Sequence, residues 1–312
     1  MTDFFDKLYI SLDNSNKLLN RIGTYRIMRF AIRLLANTIL PLYFRATARK
    51  SCNKLQPCSK ADNRLIITLT SFPARINHIW MVIETLLRQK VKPDMLILWL
   101  SKKQFPNGAG DLPQSLLRLT GRGLTIRMVD EDYRSHKKYY YCLKEFPNDH
   151  IITVDDDVFY DTKLVERMKA VHEKHPQAVI TNKAHQMTYT EDGQLKPYTE
   201  WNYNSHADSS LFVIGAGGNL YPAHCMDEMA SDIETAMELT PTGDDIWLNA
   251  MVRLHNTPII HTRHYFLEQI PVVNFHNITL NTTNVTSAND IQINNLCNYF
   301  IKHNKGCPFQ RI

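Results

Sequence analysis

The sequence predicts an α/β fold, a mostly parallel central sheet flanked by helices, on three observations. Apolar runs of strand length alternate with amphipathic segments across residues 64–182, the pattern of successive βαβ units. Two of those runs end in ligand-type residues, Thr70-Ser71 and Asp155–Asp157, and parallel sheets bind ligands beyond the carboxyl ends of their strands. The length of 312 residues, with 44% hydrophobic and 21% charged residues, suits one large domain with appendages and a full core.

In chain order, Leu65–Leu69 is the first strand, leading into the loop Thr70-Ser71-Phe72-Pro73. A helix runs from Asn77 or His78 to Gln89, with Ile79, Val82, Ile83, Leu86 and Leu87 on one side. Met95–Leu100 and Leu124–Val129 are strands, and His136–Phe146 is a helix. Ile151–Val154 is a fourth strand, Thr162–His175 a helix, and Ala178–Thr181 a fifth strand. Beyond residue 183 the pattern is less regular. Leu211–Ile214 is a short strand leading into Gly215-Ala216-Gly217-Gly218, residues 223–238 are helical, and Thr240–Met251 holds a turn, two aspartates and a helix. The expected organisation is a basic helical extension and linker over 1–63, a ligand-binding half over 64–183, and a second half of the same domain over 184–312.

The extension has its own character. From Arg21 to Lys50, basic residues (Arg21, Arg26, Arg29, Arg33, Arg45, Arg49, Lys50) alternate with apolar ones at largely helical spacing, and no acidic residue interrupts them. Two readings fit: a helix on an anionic membrane surface, or a helix packed on the domain or a partner. Pro41 is expected to end or kink this helix, and 51–63 reads as a polar linker. No uninterrupted apolar stretch reaches bilayer length, so no span is expected. Residues 1–20 lack an apolar signal core, so the expected place is the cytoplasm, peripheral on the inner face of the membrane.

The net charge of +5 suits a phosphate-rich ligand or an anionic surface. It is not the concentrated stripe of a nucleic-acid binder, and no nucleic-acid partner is expected. The six cysteines form no C-x-x-C pair and read as reduced thiols, with Cys52–Cys58 as the alternative pairing. Three glycosylation-type triplets at Asn277, Asn281 and Asn284 are taken as chance.

The strongest chemical signal is Asp155-Asp156-Asp157 after an apolar strand. In extended backbone Asp155 and Asp157 project to one side and Asp156 to the other. Two carboxylates so placed can hold Mn²⁺ or Mg²⁺, which bridge protein oxygens to substrate phosphates. A merely acidic strand-to-turn junction is the plain alternative.

Val154-Asp155-Asp156-Asp157-Val158 after a strand resembles the D-x-D motif of GT-A glycosyltransferases, a Rossmann-like fold family. The ordered set around it resembles a branch serving bacterial surface polysaccharides such as capsule or O-antigen: Thr70-Ser71-Phe72-Pro73-Ala74-Arg75, Ile97–Ser101, Lys137-Lys138-Tyr139-Tyr140, Gly215–Gly218 and Gly243-Asp244-Asp245-Ile246-Trp247. It covers about 64–255. The resemblance implies a metal-dependent hexosyl transfer from a nucleotide-sugar, UDP-linked, to a hydroxyl of a glycan or lipid-linked glycan. Thr70, Ser71 and Arg75 would hold the nucleotide, Asp130 and Asp132 would meet its base or ribose, and Lys137 and Lys138 the diphosphate. Asp155 and Asp156 would face the donor, Asp157 with Asp155 the metal, and Gly217 and Gly218 the donor sugar. His264 or His276 would complete the metal site; His261 is a third choice. Asp245, with Asp244, would be the general base, although Asp244 or Thr242 also suits a helix N-cap. Inversion follows if Asp245 is that base. Trp201, Tyr203 and Trp247 suit sugar stacking or the core. A sugar nucleotidyltransferase would want a Gly-rich basic first loop instead of Thr-Ser-Phe-Pro, and a non-catalytic scaffold would not need both acidic pairs.

Overall fold

A computed structural model describes residues 1–12, 23–50, 53–56, 62–202, 210–265, 269–272 and 288–311. Seven strands form one sheet in the order β3-β2-β1-β4-β8-β5-β9: β1 (Leu65–Thr70), β2 (Met95–Ser101), β3 (Leu124–Val129), β4 (His150–Thr153), β5 (Val179–Thr181), β8 (Asn219–Tyr221) and β9 (Ile259–His261). A two-stranded ribbon pairs β6 (Ala184–Gln186) with β7 (Leu211–Val213). All sheet neighbours are parallel except β8, which runs antiparallel to both β4 and β5. The predicted mostly parallel sheet is therefore observed.

Strand alternation divides the core. Ile67, Leu69, Leu96, Leu98 and Ile152 point to one face, and Ile66, Ile97, Trp99 and Ile151 to the other. Because both faces are covered by helices, the strands read as continuous apolar runs. The longer helices among the described residues are α1 (Thr2–Ile10), α2 (Thr24–Thr47), α3 (Ile79–Leu87), α4 (Lys137–Glu145), α5 (Leu164–His172), α6 (Ile233–Leu239), α7 (Asp244–Leu254) and α8 (Asn289–Lys302).

The N-terminal helices belong to the first core. Phe5 and Tyr9 of α1, and Ile32, Ala36, Leu40 and Phe44 of α2, are buried with α3 and the sheet. Pro41 lies inside α2 and does not end it, since the helix runs to Thr47. Leu40 and Phe44 are sealed on either side of it, and that burial outweighs a proline cost of about 3 kcal/mol. α2 is also long and apolar enough, by length and composition, to cross a membrane, while one face of it is buried in the core.

The expected linker is partly built in. Arg122 donates to the Asn53 carbonyl at 3.1 Å, and Leu55 N–H donates to the Arg122 carbonyl at 3.0 Å. Buried Glu84 accepts from Arg88 at 2.9 Å and from Arg122, while Arg88 also donates to the Phe44 carbonyl at 3.2 Å. This ion triad ties α2 to α3 and the linker.

The cysteine expectation needs correction. Cys297 and Cys307 form a disulfide, with Cα atoms 4.3 Å apart. α8 buries Ile293, Leu296 and Phe300, and the tail returns to bury Phe309, which brings the two cysteines together. Cys142 and Cys225 are free and buried; Cys52 and Cys58 lie outside the described residues.

Candidate active site

The site forms at the carboxyl ends of β1 and β4. β4 is followed by Val154 and the three aspartates. β8 is antiparallel, with Asn219 opposite Thr153 and Thr181, so the glycines preceding it arrive at this same end. α7 arrives by a separate anchor: buried Asn249 accepts from Val213 N–H and donates to the Val213 carbonyl, both at 2.8 Å. That exchange fixes α7 on β7, whose continuation is Ile214-Gly215. A third tie is His136, which meets the Thr240 carbonyl at 2.7 Å and holds the start of α7 against the start of α4. Burial lowers the pKa of His136, and because a carbonyl only accepts, the ring nitrogen is the donor in this contact.

These ties bring two acidic motifs together. The Lys138 ammonium lies 3.0 Å from Asp155 and 2.8 Å from Asp244. Burial opposes its charge, yet the two carboxylates hold its pKa well above the ordinary lysine value. Asp244 is buried too, and Lys138 keeps its carboxyl below the usual range. Asp245, beside it, is pushed up to about 7 by burial and by the Asp244 charge. A Cβ on Gly215 would stand 3.9 Å from both Asp155 Oδ1 and the Asp245 Cβ, so Asp155, Asp245, Lys138 and Gly215 surround one small space.

The middle aspartate turns the other way. Asp156 accepts from Ser71 and from Arg75, each at 2.5 Å, and Arg75 reaches Asp157 at 2.9 Å. Asp155 is paired with Lys138 and Asp157 with Arg75, so a cation at these two carboxylates would share them with those side chains. Burial and the nearby Asp155 charge raise Asp157 to about 6. Crowded carboxylates of this kind, one of them at the surface, are a donor set that fits a hard divalent ion. The Asp155 N–H donates to the Tyr160 hydroxyl at 2.8 Å, a support the sequence reading did not include.

The other expected residues fall as follows. Thr70 donates to the Trp99 carbonyl at 2.8 Å. Asp130 is a surface group, 83% exposed and paired with Lys102. Lys137 is buried and paired with Asp132. Gly217 and Gly218 have φ of +102° and +88° and back onto Lys183 and Leu164; the close approach to the carboxylates belongs to Gly215. The residue before α7 is Gly243, without a side-chain cap, so neither Thr242 nor Asp244 caps this helix; Asp244 is its first residue, where the helix dipole favours a carboxylate. His261 contacts the Asn182 carbonyl at 2.9 Å. His264 groups with Asp6 and Asp161, 3.5 Å from each, and not with the aspartate run. His276 and Tyr203 lie outside the described residues. Trp201 and Trp247 are core.

The sheet order, with two acidic motifs gathered at the carboxyl ends of its strands, is that of an α/β enzyme fold. The chain matches the glycosyl transferase family 64 domain over residues 65–289 and belongs to that family. No curated protein matches it. Among solved structures it is similar to S. aureus TarS 1-349, at 13% identity over 63% of this chain and TM-score 0.42. It spans 58% of that protein's length. It is also similar to the mannosyltransferase PcManGT from Pyrobaculum calidifontis in complex with GDP-Man and Mn²⁺, at 9% identity over 96% of this chain and 76% of that one, TM-score 0.44. Likenesses this distant carry no argument about chemistry.

Proposed function

We propose that the enzyme transfers a hexose from a nucleotide-sugar, UDP-linked, to a hydroxyl of a growing glycan or lipid-linked glycan, with Mn²⁺ or Mg²⁺. One observation carries the reading: Lys138 joins Asp155 of the first acidic motif to Asp244 of the second, leaving Asp245 and Gly215 beside the same space. Asp155 and Asp157 would hold the cation, whose Lewis acidity stabilises the leaving nucleotide's phosphate. Arg75 and Lys138 supply fixed positive charge for the diphosphate, Arg75 with a fork suited to phosphate oxygens. Ser71 and Asp156 hold Arg75 in place.

Asp245 would take the acceptor proton. A carboxyl raised to about 7 is a base matched to neutral pH. Inversion follows from direct proton abstraction there, and the anomeric configuration of the product reads it; retention would reassign Asp245 to the donor-sugar face. Residues 21–50 would face an anionic membrane on the cytoplasmic side, where a lipid-linked acceptor is presented.

The test is calorimetric binding of UDP and of GDP with Mn²⁺ and then with EDTA. Metal-dependent binding of one nucleotide, lost in Asp157→Asn, supports the donor site. Asp245→Asn should keep that binding and lose roughly 10²–10⁴-fold in kcat. Equal nucleotide affinity in EDTA would sink the metal assignment.

A further inference from the structure

We propose that α1 and α2 together form one docking surface for an anionic lipid bilayer, lying in the interface and not crossing it. The proposal rests on the membrane reading of residues 21–50 and extends it to α1. Of the twelve large hydrophobic side chains exposed among the described residues, nine lie on these two helices and a tenth, Met1, immediately precedes α1. Met1 and, on α1, Phe4 and Leu8 stand at helical spacing, and α2 presents Ile27, Phe30 and Leu34. Exposed apolar residues on ordinary surfaces are scattered singly; a concentration of this kind marks an interaction face. The helices touch, since Arg29 of α2 donates to the Leu12 carbonyl at 2.6 Å and lies over the Tyr9 ring.

Charge selects the occupant. Between Asn14 and Ala61 the chain has ten basic residues and no acidic one, and Arg26, Arg45 and Lys7 are exposed on the helices themselves. An apolar stripe alone would suit a second protein. A stripe fringed by charge of one sign suits anionic headgroups, with the apolar side chains in the acyl boundary and the guanidinium groups at headgroup level.

Packing sets the orientation. The opposite face of α2, with Ile32, Ala36, Leu40 and Phe44, is sealed into the domain core, and Asn37 donates to the Pro271 carbonyl at 3.0 Å. A helix crossing the bilayer would have to abandon both. α1 is pinned in the same way, because Asp3 accepts from the Thr162 N–H and hydroxyl, each at 2.7 Å. The acidic run is tied to this layer as well: Val272 N–H donates to the Asp157 carbonyl at 2.7 Å, next to the Pro271 that α2 holds. The backbone that carries Asp157 is thus joined to α2 through Pro271 and Val272.

The test uses the full chain with vesicles of phosphatidylcholine alone and of phosphatidylcholine with phosphatidylglycerol. Double substitutions Phe4→Asp/Leu8→Asp in α1 and Phe30→Asp/Leu34→Asp in α2 change exposed side chains, and far-UV thermal melting checks that the fold is kept. The expected result is co-sedimentation with the anionic vesicles that weakens roughly tenfold or more in either double variant and weakens with salt. Loss in the α2 variant alone would overturn the two-helix surface while leaving the membrane reading of 21–50. No sedimentation of the wild type with either vesicle would overturn both. Equal binding to both vesicle types would overturn the anionic assignment. A dimer in sedimentation velocity, abolished by the same substitutions, would make a second copy the occupant and overturn the proposal. None of these readouts depends on donor chemistry, which the calorimetry with UDP and GDP tests separately.

Discussion

Lys138 and Asp244 meet at 2.8 Å, one at the start of α4 and the other at the start of α7. The ammonium also reaches Asp155, so it is shared between two carboxylates inside the protein. Removing one partner of a buried ion pair leaves the others uncompensated, at a cost of about 3–5 kcal/mol. Lys138→Met should lower the unfolding free energy, read by urea denaturation, by that order and abolish nucleotide binding. A variant of native stability would show that Asp155 and Asp244 are solvated well enough without it.

The contact of His264 with Asp6 and Asp161 makes seating of α1 depend on pH. Burial opposes the imidazolium, but the Asp161 and Asp6 carboxylates, each 3.5 Å away, raise its pKa above the ordinary histidine value. Arg167 and Tyr265 also face Asp161, and Tyr265 reaches Asp6. A histidine raised on folding contributes stability that is complete below its unfolded pKa of about 6.5. That contribution is lost as pH rises through the folded value. Thermal midpoints of the wild type should therefore fall relative to His264→Gln as pH rises from 6 toward 8. Parallel curves for the two proteins would sink the idea.

Legibility in the sequence followed pattern length. β1 to β5 were readable because each is an apolar run divided between two covered faces, and the helices between them carry a repeated apolar side. β6, β8 and β9 have three residues each, as β5 and β7 do, but His185 and Gln186, Asn219 and His261 break the apolar run that marked those two. α8 was missed because Asn289–Lys302 is rich in asparagine, a weak helix former, and buries only Gln292, Ile293, Leu296 and Phe300. α1 was missed because Phe4 and Phe5 point to opposite environments, so no single apolar face stands out. In the site, the acidic run and the Asp244-Asp245 pair were visible as residue types at strand and helix ends. The junction made by Lys138 was not, since it depends on His136 and Asn249 docking α7, contacts with no local signature. The grouping of His264 with Asp6 of α1 and with Asp161 was not legible either, since it too joins distant segments.

The Glu84 triad tests how firmly the extension belongs to the domain. Glu84 receives Arg88 and Arg122, and these two hold the Phe44 carbonyl of α2 and the Asn53 carbonyl of the linker. Glu84→Ala would bury two guanidinium groups without their anion. The expected loss is about 3–5 kcal/mol of unfolding free energy, read by urea denaturation. Protease cleavage in α2 should also quicken in native buffer. A change within about 0.5 kcal/mol, the range of ordinary surface substitutions, would show that the two arginines find water or other acceptors.

The glycines before β8 separate support from function. Gly218 has φ +88°, and a Cβ there would stand 2.9 Å from Leu164 Cδ1. Gly218→Ala therefore faces both a left-handed backbone cost and a clash in the core, together about 1–3 kcal/mol. Gly215 is different: an added Cβ would meet Lys138, Asp155 and Asp245 at ordinary contact distances of 3.8–3.9 Å. Gly215→Ala should fold with unchanged stability, because nothing has to move. Its methyl group, however, fills the space those three side chains surround. Turnover should fall by about tenfold or more while metal-dependent nucleotide binding persists, since the nucleotide sits by Ser71 and Arg75 in this reading and the sugar by Gly215. Full activity in Gly215→Ala would place the transferred sugar elsewhere.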